Sequence, residues 1–199
     1  MVDLAKLHKR KLPLSYGTRR FRLVLGDSRY AQDVIALRND QRLNRFIHHE
    51  ELTLASQERF IDAALDRTDA LNFVALAGDE FAGAAGLYGV ADGVGEYGRF
   101  IMPEGELRRF APAVTLLIAS FGFEVLGLRE IYCRILEQNT GVLRFHEQGG
   151  WKRHVGRSQD VVFGGEETRL VAMSMTAEDW PAVFETHRDF LRALIGEHD

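Results

Sequence analysis

Cysteine is almost absent. Cys133 is the single one in 199 residues, so no intramolecular disulfide can form, and a reducing compartment fits. A surplus of positive charge is missing too. Lysine and arginine number 25 against 29 aspartates and glutamates, giving a net charge of −4, which argues against a nucleic-acid binder. No apolar run is long enough to span a bilayer, and the charged opening from Met1 to Lys11 does not read as a secretory leader. The expected location is the cytoplasm, with no nucleic-acid and no membrane partner. Repeats, low-complexity tracts and linkers are also lacking. With 46% hydrophobic and 27% charged residues, the chain reads as one globular domain over 1–199.

What is present is a regular alternation of strand and helix patterns. Residues 1–20 form a basic arm (His8, Lys9, Arg10, Lys11, Arg19, Arg20), either solvated or in contact with an anionic substrate or coenzyme phosphates. Phe21 to Leu25 reads as a strand, and Asp27 or Ser28 can cap a helix to about Leu37. Thr53 or Ser56 can cap a second helix, with Phe60, Ile61, Ala64 and Leu65 on one face. Asn72–Ala77 and Glu80–Val90 read as a hairpin turning at Gly78-Asp79, and Gly93 opens a further strand to Ile101.

Pro103-Glu104-Gly105-Glu106 breaks that strand. Val114, Leu117, Ile118, Phe121 and Val125 then recur at helical spacing until Gly127. Ile131–Leu136 is a buried-type strand, and Thr140–Gln148 a short helix ended by Gly149-Gly150. Asp160–Phe163 and Thr168–Met175 are two more strands joined by Gly164-Gly165. Asp179 or Thr176 caps an added C-terminal helix within 178–196. Its apolar residues Trp180, Phe184, Phe190, Leu191 and Leu194 suit either a homodimer contact or packing on the chain's own sheet. The order predicts a mixed α/β (α+β) domain with a mostly antiparallel sheet of about seven strands and one parallel crossover.

Chemistry concentrates between Gly95 and Trp151. A helix beginning near Arg108, after a polar loop, offers free backbone N–H groups and a positive dipole end that suit a diphosphate. Arg108 and Arg109 add charge there, although two arginines at a helix start also describe an ordinary solvated surface.

Arg108-Arg109-Phe110-Ala111-Pro112-Ala113 resembles the coenzyme A loop Gln/Arg-x-x-Gly-x-Gly/Ala of the GNAT N-acetyltransferase superfamily, with Ala111 where the family has its central glycine. Glu137-Gln138-Asn139 followed by Phe145-His146-Glu147-Gln148-Gly149-Gly150-Trp151 resembles the family's E-x-N…F-Y-E-K-x-G-F signature. Arg38-Asn39-Asp40 with Arg45-Phe46 resembles the R-N-D stretch of its ribosomal-protein and sugar-acetyltransferase branches. The likeness covers about residues 20–176. It implies a GNAT-like sheet with a V-shaped splay, and acetyl-CoA or another short acyl-CoA as co-substrate.

The resemblance also implies roles. Arg108, Arg109, Phe110, Ala111, Ala113 and Asn139 would hold the coenzyme, and a backbone N–H near Phe100, Ile101 or Met102 would face the carbonyl oxygen on which charge develops. His146 stands where relatives place a tyrosine that protonates the departing thiolate; an imidazole can do the same. Glu96 could relay the amine's proton through water. Arg38, Asn39, Arg45, His48 and His49 would meet the acceptor. The His48-His49-Glu50-Glu51 cluster has no specific metal spacing and the chemistry needs no metal. The expected acceptor is a primary amine on a small molecule, with a nucleotide-linked amino sugar preferred. The rivals are a protein N-terminus or ribosomal protein, and a non-catalytic acyl-CoA-binding module suggested by Ala111 and His146.

Overall fold

The computed structural model describes residues 15–47, 51–65 and 67–196. Ser15–Gly17 forms a short edge strand, β1, paired antiparallel with β2 (Phe21–Leu25). Asp27 accepts the Arg29 N–H at 2.9 Å and starts a 3-10 turn that runs into α1 (Ala31–Asn39). Asp40 repeats the device for α2 (Gln41–Asn44), with its carboxyl held at about 2 by the Arg42 side chain and N–H. Thr53 Oγ1 accepts from the Ser56 N–H at 3.2 Å ahead of α3 (Leu54–Leu65).

The hairpin β3 (Leu71–Ala77) and β4 (Glu80–Ala91) turns at Gly78-Asp79. Asp92 and Gly93, at φ +49° and +74°, form the two-residue turn into β5 (Val94–Ile101). A 3-10 turn (Glu106–Phe110), α4 (Ala111–Ser120) and a π turn (Phe121–Val125) then wind without a break. There follow β6 (Glu130–Leu136), α5 (Thr140–Gln148), β7 (Lys152–Arg153), β8 (Gln159–Phe163), β9 (Glu166–Thr176) and α6 (Trp180–Ile195).

The strands form one sheet in the order β1-β2-β3-β4-β5-β6-β9-β7, with β8 also on β9. Every pairing is antiparallel except β5 with β6. The nine strands among the described residues exceed the expected seven by β1 and β7, three and two residues long, too short to carry an alternation signal. β1 also removes residues 15–17 from the expected irregular arm.

Residues 113–120 of α4 are all buried, as an apolar helix lodged against a sheet must be. They pack on Phe21, Leu23, Phe73, Leu87, Tyr97 and Ile131. Each such side chain contributes about 1.5–3 kcal/mol by leaving water. The opposite face of the sheet carries a smaller cluster of Val24, Val74 and Leu76, against which Tyr30 and Phe81 pack. The apolar face of α6 closes on this chain: Trp180, Leu191 and Ile195 are buried, and the Trp180 indole donates to Glu124 at 2.8 Å. That leaves Phe190 as the exposed remnant of the surface read as a dimer contact. Among the described residues no helix is long and apolar enough to cross a membrane.

Candidate active site

β5 and β6 are paired only from Val94↔Glu130 to Glu96↔Tyr132. Beyond that point β6 stays on β9 as far as Leu136↔Leu170, while β5 stays on β4. The two strands therefore splay, and the facing edges of Tyr97–Ile101 and Cys133–Leu136 are left without each other's hydrogen bonds. A bulge interrupts β5 in this stretch. Between the pairs Gly86↔Gly98 and Ala84↔Ile101 lies Ala85 on β4, but Arg99 and Phe100 on β5. Arg99 sits at φ +53°, an uncommon conformation for a side-chain-bearing residue. Phe100 has no ladder partner in β4 or β6, whereas Ile101 and Met102 are buried.

The loop after β5 departs from its sequence reading. The helical segment starts at Glu106, one short turn before Arg108. Its 3-10 winding uses the Arg108 N–H on the Gly105 carbonyl and the Ala111 N–H on the Arg108 carbonyl, so neither is free for a phosphate. The unpaired N–H groups belong instead to the start of the turn, after Gly105 at φ +92°. The Phe110 ring stacks on Phe21 with centroids 4.6 Å apart, and Ala113 is fully buried. Those two side chains serve the core. Arg108 and Arg109 remain exposed beside the loop. Asn139 occupies the N-cap of α5 without capping it with its side chain, so its amide is available to a ligand.

His146 lies against Tyr97 and Trp151, with ring centroids 6.1 and 5.3 Å away, and is only 3% exposed. Its Nδ1 is 2.9 Å from the Val142 carbonyl oxygen. A carbonyl only accepts, so Nδ1 carries the hydrogen and Nε2 presents a lone pair. Among the described residues Nε2 has no hydrogen-bond partner, nor has the Trp151 indole N–H. Both residues line a cavity of about 220 Å³ between α4, α5 and α6. Burial pushes the imidazole pKa down, against a smaller upward pull from the Val142 bond, so the ring is neutral at neutral pH.

Glu96 is buried rather than a surface strand residue, at 6% exposure. Arg134 donates to it at 2.9 Å (Nε) and 2.7 Å (Nη2), and the Tyr88 and Tyr132 hydroxyls donate at 3.2 and 3.1 Å. Four donors occupy the carboxylate's lone pairs, which leaves it poorly placed to take a proton through water.

On the same face, α1 and α3 roof a cavity of about 260 Å³. Val34, Phe60, Ile61, Val74 and Ala84 make most of it apolar, and Arg38, Arg99 and Asn72 enter its wall. Arg38 donates to the Arg99 backbone carbonyl at 3.2 Å, and Arg99 donates to Asn72 Oδ1 at 2.9 Å. The Arg99 guanidinium lies over Tyr88 and Phe60, 4.4 and 5.1 Å from their centroids. Burial, and then in Arg38's case the Arg99 charge, pulls both arginine pKa values down. Arg67 is paired with Asp69 and Arg134 with Glu96, but among the described residues no carboxylate oxygen lies within 4 Å of the Arg38 or Arg99 guanidinium, and Glu96 and Asp69 act on Arg99 only from further away.

Of the expected acceptor residues, Arg38 reaches this cavity. Asn39 instead clips Leu52, donating to its carbonyl at 2.9 Å and accepting its N–H at 3.0 Å. Arg45 is exposed over Phe46 and is not part of the cavity wall. His48 and His49 lie outside the described residues. Arg99 was not anticipated, for a physical reason. Strand alternation puts it on the face of Tyr97, and only the bulge returns it to the face of Glu96.

Residues 20–152 match the family model described as an acetyltransferase (GNAT) domain. No curated protein matches the chain in sequence. Several solved structures share its fold. A GCN5-related N-acetyltransferase from Brucella melitensis is 21% identical, with TM-score 0.73 over 89% of this chain and 85% of that one. Apo FdhC, a nucleotide-linked sugar GNAT, is 19% identical with TM-score 0.73 over 90% and 99%. Spermidine N-acetyltransferase from Vibrio cholerae, in complex with CoA and spermine, is 15% identical with TM-score 0.72 over 81% and 98%.

Proposed function

The chain belongs to the GNAT acetyltransferase family, whose members are acyl-CoA-dependent N-acetyltransferases, and from that premise we propose that its acceptor is a primary amine on a small anionic molecule, best represented by a nucleotide-linked amino sugar. The observation that carries this reading is the pair of half-buried arginines, Arg38 and Arg99, which form no ion pair among the described residues, in the wall of the cavity beside the β5 bulge. Both guanidiniums are half-buried and ion-paired with no carboxylate among the described residues, and a phosphate or carboxylate on the acceptor would offset part of the cost of taking them out of water. The same charges repel a polyamine. The apolar remainder of the cavity suits the sugar's carbon faces and a base rather than a second cation.

The residues present also fit the coenzyme. The splay leaves two strand edges for an amide-bearing arm, Asn139 offers an unengaged amide, and Arg108 and Arg109 are exposed where phosphates could reach them. When bound, acetyl-CoA supplies the acetyl group as an activated thioester. The protein's part is to orient and to manage protons. The Phe100 N–H, on a residue with no ladder partner in β4 or β6, would donate where negative charge develops. His146 works from its neutral form: Nε2 takes up a proton and releases it again, with Nδ1 fixed by Val142. Glu96 holds Arg134, Tyr88 and Tyr132 in place and is not assigned the base.

The anion assignment is tested without turnover. Uridine diphosphate should raise the melting temperature of the protein, and Arg99→Gln should abolish the increase. No stabilisation of the native protein would remove the anionic acceptor.

A further inference from the structure

Neither Arg99 nor Phe100 has a ladder partner in β4 or β6. The peptide between them lies in a bulge, and its first residue is at φ +53°. A ladder normally fixes the rotation of each peptide plane; here it does not. The contact that holds this plane comes from outside the sheet, in the Arg38 Nη2–H donated to the Arg99 oxygen at 3.2 Å. The peptide is trans, so its N–H points away from its C=O. Pinning the oxygen on the α1 side therefore aims the Phe100 N–H to the other side.

We propose that Arg38 is a positioning residue for acyl transfer: by holding the Arg99 carbonyl it aims the Phe100 N–H at the carbonyl oxygen under attack. A guanidinium on the oxygen also draws electron density across the peptide and strengthens the N–H as a donor. Arg38 is itself well supported. Its backbone carbonyl accepts from Asn44 Nδ2 at 2.9 Å, and the next residue, Asn39, clips Leu52. This role adds to its place in the wall of the acceptor cavity. The inference rests on the acyl-transfer reading of the splay and not on the acceptor's identity.

The test compares Arg38→Gln and Arg38→Lys with the native chain by three readouts. One is the infrared carbonyl stretch of 13C-labelled acetyl-CoA bound to the protein. Another is release of CoA to water with no acceptor present. The third is the dissociation constant for acetyl-CoA. The native protein should lower the carbonyl stretch below that of free acetyl-CoA. R38Q should return it toward the free value and slow acceptor-free release about 10- to 100-fold, less than outright loss of an oxyanion donor. Its acetyl-CoA affinity should stay within about twofold of native, and R38K should recover part of both losses. If R38Q fails to fold, R38K carries the test alone, with a partial loss of both signals expected. An unshifted carbonyl in the native protein would overturn the proposal. So would an R38Q variant that keeps both the shift and the native rate of acceptor-free release; Arg38 would then have no part in positioning the Phe100 N–H. A failed sugar substrate would leave all three readouts unchanged, so the two readings fail separately.

Discussion

Glu96 and Arg134 form a two-pronged ion pair across the mouth of the splay, with donor–acceptor distances of 2.9 and 2.7 Å. Two tyrosine hydroxyls complete the carboxylate's shell, so its role is to order its neighbours. Glu96→Gln should lower stability by about 1–3 kcal/mol, below the full cost for a buried pair because Arg134 is a third exposed. The maximal rate should fall less than about 10-fold, whereas loss of a general base removes roughly 10²- to 10⁴-fold. Urea denaturation and steady-state rates together separate the two roles.

The neutral state of His146 gives a pH signature. Its folded pKa lies below that of the unfolded chain, so in the window from about 6.5 downward the unfolded state binds more protons. The stability lost to His146 therefore grows as pH falls through that window, and none is lost above it. Native protein should lose more melting temperature between about pH 7 and pH 5 than His146→Phe does. Catalytically, the rate should rise with pH through the same window and then level off. The Phe variant should lower the maximal rate with little change in acetyl-CoA affinity, and should lack that limb.

Arg99 is a specificity residue in this account. Arg99→Gln should raise the acceptor's KM about 10-fold or more, the order expected for a hydrogen bond to a charged group. The KM for acetyl-CoA should stay within about twofold. Steady-state kinetics with each substrate varied in turn reads the split.

Ala111 departs from the family's loop glycine, but its N–H is already bonded to the Arg108 carbonyl and its φ and ψ are −53° and −42°. Restoring glycine should therefore not tighten coenzyme binding, and should destabilise the protein by about 0.5–1 kcal/mol through lost helix preference. Gly105→Ala acts in the opposite sense. At φ +92° it strains the start of the turn and should weaken acetyl-CoA binding. Calorimetric titration and thermal unfolding check both variants.

The sequence is a good guide wherever local patterning and final structure agree. Thr140–Gln148 forms the helix its spacing predicts, and the Gly78-Asp79 hairpin turns where expected. The site was half legible. Asn139 stands at the N-cap of α5, His146 lines the cavity between α4, α5 and α6, and Arg38 lines the cavity under α1 and α3. Phe110 and Ala113 carry the motif's spacing, yet their side chains complete the core, because the helix begins a turn early. Arg99 and the Arg38 contact were invisible for a common cause: one extra residue in β5 turns the rest of the strand to the opposite face, and no periodicity announces a bulge in advance.

The most direct measurement is a comparison of kcat/KM with acetyl-CoA as donor across three acceptors: a nucleotide-linked amino sugar, spermidine and a peptide with a free N-terminus. The account predicts acetylation of the sugar amine, release of one CoA for each amide formed, and at least roughly 100-fold preference over the other two, a gap of about 2.7 kcal/mol. Efficient turnover of spermidine or the peptide with none of the sugar would contradict it.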